Sequence, residues 1–105
     1  MIERIAIPAW GTAPTSTEVW RDCLETTFGP TTIELEDRTV TWFECPSRRV
    51  RGYALIENSF VSAINFELYD EAPAESLALL EAAAGRLGWE LHVDDDEEED
   101  EDEAD

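Results

Sequence analysis

Residues 94–103 read DDDEEEDEDE, ten consecutive acids, and this run bounds what the chain can fold. A stretch that is charged at every position buries no apolar surface, so nothing offsets the entropy lost on ordering it. The last twelve residues, 94–105, hold eleven negative charges and a single apolar residue, Ala104. They are expected to form a disordered acidic tail, extended by its own repulsion. Residues 1–93 are left as one small domain.

The body is acidic independently of the tail. It carries 15 Asp and Glu against 7 Arg, a net of −8, and there is no Lys among the 105 residues. At a whole-chain charge of −19 the protein is repelled by DNA, RNA and anionic membranes, which disfavours direct binding to any of them. Arg without Lys, beside 12 Ala, fits a GC-rich coding bias. Adaptation to high salt ranks below that explanation, because it would spread acids over the whole surface, whereas 11 of the 26 lie in one tail. No window approaches the ~20 continuous apolar residues of a membrane span. The segment MIERIAIPAW lacks the basic-then-apolar order of a signal peptide, so a cytoplasmic location is expected. Two cysteines, Cys23 and Cys45, are too few for a disulfide framework and read as reduced, buried apolar residues.

Hydrophobic spacing gives the element order. Ile5, Ile7 and Ala9 alternate with Ala6 and Pro8 in a short first strand. Thr15 and Glu18 form a capping-box pattern ahead of Val19, Trp20, Cys23, Leu24 and Phe28, which recur at helical spacing until Gly29-Pro30. Ile33 and Leu35 alternate with acids, and TVTWFEC follows, which predicts a hairpin over about 32–45. VRGYALIE turns at Asn58-Ser59 into FVSAINFELY, where Phe60, Ile64, Phe66 and Leu68 are expected to share the buried face. Pro73 opens a second helix with Leu77, Leu80, Ala84 and Leu87 as its apolar stripe, ended by Gly88. Trp89, Leu91 and Val93 alternate in a closing strand. The prediction is therefore an α+β domain, β-α-β-β-β-β-α-β, with two helices on one face of a mostly antiparallel sheet. In order alone this is similar to a ferredoxin-like βαββαβ with an inserted hairpin, or to βαβββ modules of the vicinal oxygen chelate type. The His and Glu ligands that the chelate type uses near Arg4 and on later strands are not evident, and no motif assigns a family.

Catalytic and metal signatures are absent from the sequence. There is one histidine, His92, and no CxxC, HExxH, GxGxxG, GxSxG or P-loop spacing. The acidic run lacks the glycine of a calcium loop. The expectation is a non-enzyme with no metal and no cofactor. Arg48, Arg49 and Arg51 crowd one loop, where pairing with neighbouring acids is the expected role.

The aromatic residues carry the functional signal. Arg51 and Glu57 share a strand face with Tyr53 and Leu55, which places all four outward. Adjacent residues Trp42 and Phe43 point to opposite faces, so only one can meet the helices. Large apolar residues then lie among acids on the open face of the sheet. The candidate partner-binding set is Trp42 or Phe43, Tyr53, Leu55 and Tyr69 as anchors. Glu34, Glu36, Asp37, Glu57 and Glu67 form its rim, with Asp94, Asp95 and Asp96 leading into the tail. Two functional classes follow. One is an inhibitor of the immunity, antitoxin-like or anti-defence kind that mimics nucleic-acid charge on a basic partner such as a nuclease. The other is a non-catalytic acidic adaptor or structural subunit with a solubilising tail. A homodimer face and a seat for a small cationic ligand are further uses of the same surface.

Overall fold

The computed structural model describes residues 1–93. Eight elements follow in the expected order: β1 (Ile2–Pro8), α1 (Thr17–Phe28), β2 (Thr32–Asp37), β3 (Val40–Cys45), β4 (Val50–Glu57), β5 (Phe60–Leu68), α2 (Pro73–Arg86) and β6 (Trp89–Val93). One six-stranded sheet, ordered β2-β3-β4-β5-β1-β6, pairs antiparallel at every step. Strands β6-β1-β5-β4 with the two helices reproduce the ferredoxin-like strand order, and the β2–β3 hairpin widens that sheet at the β4 edge. The expected tail, with Asp94, Asp95 and Asp96, lies outside the described residues.

Both helices cover one face. Trp20, Leu24 and Phe28 of α1 and Leu80 and Ala84 of α2 pack on Phe43, Ala54, Ile64, Phe66 and Leu68 of the sheet. Trp20 organises this layer: its ring meets Trp89 edge-on at 5.2 Å and Phe66 at 5.7 Å. At Gly52, an added Cβ would stand 2.9 Å from Phe66 Cε1, so the ring lies directly over the β4 backbone. The β4–β5 hairpin turns on Asn58 and Ser59, both with positive φ (52° and 71°), the two-residue turn whose twist suits an antiparallel pair.

Four local expectations are corrected. The N-cap of α1 is Ser16, whose Oγ accepts from Val19 N, while Thr15 is drawn into the core as acceptor for Trp89 Nε1. Val19 is exposed, since it falls on the far side of α1 from Trp20, Leu24 and Phe28. Cys23 is half-buried beside α2, with its Sγ 3.5 Å from the Ala83 carbonyl, rather than in the core cluster. In β5 the ladder shifts between Leu55↔Ala63 and Ile56↔Val61, inserting Ser62 as an extra residue. Facing therefore inverts beyond it: Val61 is buried, and Phe60 is exposed beside Glu57.

Candidate functional site

The face of the sheet opposite the helices is open, and the register arranges it in rows. Directly paired residues share a face, so Glu34, Trp42, Tyr53, Asn65, Ile5 and His92 form one row from β2 to β6. Below it run Thr32, Glu44, Arg51, Glu67 and Glu3; above it run Asp37, Val40, Leu55 and Ala63. Ile7, paired with Glu90, belongs to the upper part, two residues along β1 from Ile5.

The aromatic side chains are held by their neighbours. Trp42 and Tyr53 meet edge-on with centroids 4.7 Å apart, and the Arg51 guanidinium lies 4.5 Å from the Trp42 ring centroid. Arg51 Nε is 3.4 Å from Glu44, and Trp42 Nε1–H donates to Glu36 at 3.3 Å. Tyr69 O–H donates to Glu67 at 2.8 Å, a bond that pushes the phenol pKa above its ordinary value. The surface is thus an ordered aromatic strip braced by carboxylates, with one arginine stacked into it.

Trp42 and Tyr53 are half-buried on this face, Leu55 and Tyr69 are exposed, and Glu34, Glu36 and Glu57 are exposed around them. Phe43 is not an anchor: it is fully buried against the helices, and Trp42 alone of that pair faces outward. Asp37 has a structural duty at the β2–β3 turn, where Oδ1 accepts from Thr39 N and Oγ1, each at 2.7 Å. Those bonds lower its pKa. Glu57 stands at the hairpin end of the face, away from Glu67. Sequence reasoning missed Glu44, which shares a strand face with Trp42 by the period of two, and it missed Ile5 and Asn65, whose place depends on register.

The arginine loop behaves as a clamp. Arg48 pairs with Glu75 at 2.9 Å and Asp70 at 3.4 Å, tying the β3–β4 loop to the start of α2. Asp70 also accepts from Ala72 N and from Ser76 Oγ, so it caps a helix whose own N-cap residue, Ala72, offers no side-chain acceptor. Cys23 in the helical layer and His92 on the open face lie on opposite sides of the sheet. Among the described residues no group of three or more His, Cys, Asp or Glu is placed to hold a metal ion, and no helix is long and apolar enough to cross a membrane. Comparison with protein families, curated proteins and solved structures finds no match to the chain.

Proposed function

We propose that this protein is a small acidic inhibitor, of the immunity, antitoxin-like or anti-defence kind, acting in the cytoplasm. It occupies the basic cleft of a nuclease or another nucleic-acid-binding protein by presenting carboxylates where phosphates would lie. The observation that supports the reading is the braced aromatic strip, Trp42 on Tyr53, with Glu34, Glu36, Glu44 and Glu67 disposed around it on a rigid sheet. Aromatic anchors supply most of an interface's energy, and rim carboxylates steer a cationic partner into place. The body's net charge of −8 adds a long-range attraction for such a partner.

The test starts from the basic protein recovered with the native chain from its host. An inhibitor competes with nucleic acid for that protein's cleft at equimolar ratio, and the association slows steeply as salt rises. Arg51, which places a positive charge inside the acidic row, favours the second reading, an acidic adaptor that docks elsewhere. An adaptor would leave the cleft free, and absence of competition would replace the first reading with it.

A further inference from the structure

The open face is divided. Its lower rows hold Glu3, Glu44, Glu67 and Arg51, whereas Ile5, Leu55 and Ala63 make its middle apolar. There a hollow of about 210 Å³ opens between Ile5, Tyr53, Leu55, Ala63, Ile64 and Asn65. It is smaller than the ~300 Å³ at which ordinary small-molecule sites begin, so it has room for one side chain rather than a whole cofactor. Asn65 is the polar residue of that lining, and its Oδ1 is buried without a hydrogen-bond partner. A buried acceptor left unpaired destabilises the free protein, and an incoming donor relieves it.

The surroundings select the charge of that donor. Four carboxylates stand around the hollow on the open face: Glu67 two residues from Asn65 on β5, Glu57 two from Leu55 on β4, Glu3 two from Ile5 on β1, and Glu90 opposite Ile7 on β6. Two residues of strand span about 7 Å, so these acids form a rim. Tyr69 O–H holds Glu67 in place at 2.8 Å, and Glu90 lies 3.1 Å from His92 Nε2. Arg51, the cation of the neighbouring row, is turned the other way, onto Trp42 and Glu44 of β3. A hydrocarbon pit with one unpaired carbonyl, set inside a ring of acids, suits a positively charged donor carried on an apolar stem.

We infer that the hollow receives an arginine side chain of the basic partner; this rests on the inhibitor reading and names one anchoring contact of it. The methylene stem covers Ile5, Leu55 and Ala63. The guanidinium donates to Asn65 Oδ1 once the amide swings about its last, soft torsion, and its remaining N–H groups face the surrounding carboxylates. Arginine suits this place better than lysine. Its guanidinium is the more weakly hydrated cation, so it loses less on entering an apolar pit, and it stacks on a ring such as Tyr53.

Amide chemical shifts of the full chain, titrated at a fixed ionic strength of ~0.1 M with n-butylguanidinium, guanidinium or n-butanol, test the hollow with no partner present. The first probe should give saturable shifts at Ile5, Tyr53, Leu55, Ala63 and the Asn65 side-chain amide. It should bind at least ~10-fold more tightly than guanidinium, which lacks the stem, and than n-butanol, which lacks the charge. Asn65→Leu keeps the size and removes the carbonyl, so it should weaken n-butylguanidinium at least ~10-fold with an unchanged circular dichroism spectrum. Equal affinity for guanidinium would show diffuse attraction to the acids, and equal affinity for n-butanol a merely apolar pit. Either result overturns the inference, as does unchanged binding by Asn65→Leu; should that variant fold poorly, the wild-type titrations decide. Against the basic protein recovered from the host, Asn65→Leu should raise Kd at least ~10-fold. An unchanged Kd there would give the hollow to a free cation and overturn the arginine. Failed titrations leave the inhibitor reading standing, whereas absence of competition with nucleic acid strikes that reading and leaves the n-butylguanidinium affinity untouched.

Discussion

Trp89 Nε1–H donates to Thr15 Oγ1 at 3.0 Å, a buried bond across 74 residues that joins the last strand to the entry of the first helix. Thr15 also bridges to Val61 through the backbone, so three elements meet at this one residue. Replacing Thr15 by Val keeps its shape and strands the indole N–H. The expected loss is about 1–3 kcal/mol, read as a lower urea midpoint with an unchanged slope. A midpoint equal to wild type would mean that water or a shifted carbonyl satisfies the indole.

Gly52→Ala should destabilise by about 1–3 kcal/mol through overpacking. The new methyl would stand 2.9 Å from Phe66 Cε1 and 3.1 Å from Ile64 Cγ2, and both neighbours are fully buried with no room to retreat. Equilibrium unfolding measures this, and stabilisation would show that the core around Phe66 is looser than described.

Acid sensitivity should run through Asp70. Its carboxyl is held below the ordinary range first by Ala72 N–H, then by the Ser76 hydroxyl and the Arg48 guanidinium. A depressed carboxylate stabilises the fold fully above its unfolded pKa of about 3.9, and that contribution disappears as pH falls through the folded value. Asp70→Asn should therefore lower stability at neutral pH and flatten its decline below about pH 4. Urea midpoints across pH 2–6, taken in ~0.1 M salt, provide the comparison. Parallel curves for the variant and the wild type would remove Asp70 from the account.

Tyr53→Ala should weaken the basic partner and leave the domain folded, because the ring lies on the open face and packs on Trp42 rather than on the helices. A hot-spot loss of about 2 kcal/mol, or ~30-fold in Kd, is expected by calorimetry. Unfolding of the variant would mean that the strip supports the sheet itself.

A chain ending at Val93 should keep its thermal midpoint at moderate ionic strength, since residues 94–105 contribute no apolar residue but Ala104. Toward a basic partner it should lose on-rate more than it gains off-rate. A large fall in midpoint would assign the acidic run a part in folding.

Periodicity made the helices and strands legible, because Trp20, Leu24 and Phe28 and the alternation through β3 to β5 are local signals. What it could not carry was any fact created by one extra residue. Ser62 inverts the facing of Phe60 and Val61 without altering the hydrophobicity of the segment. The choice between Trp42 and Phe43 was open for the same reason: a strand shows that neighbours oppose each other, and only the helices decide which one is covered. The rows that bring Ile5, Asn65 and Tyr53 together cross strands distant in sequence, so no window of residues contains them. The exposure of Trp10 was equally illegible, because the turn that carries it is held by the Gly88 carbonyl, distant in sequence, which accepts from Ala9 N and Thr12 Oγ1.

The position of β1 has a consequence for how the chain reaches this state. Strands β2 to β5 form a meander in which each strand meets the one made just before it, a set of short loop closures. β1 is flanked by β5 and β6, so the first of the described strands is among the last of them to be paired. Its edges must wait until β5 and β6 have been made, and its pairing with β6 spans the longest stretch of sequence among the described strands. Refolding should accordingly be limited by the docking of β1, with the meander formed earlier, and the amides of Ile5 and Ala6 should gain hydrogen-exchange protection after those of Tyr53 and Ala54.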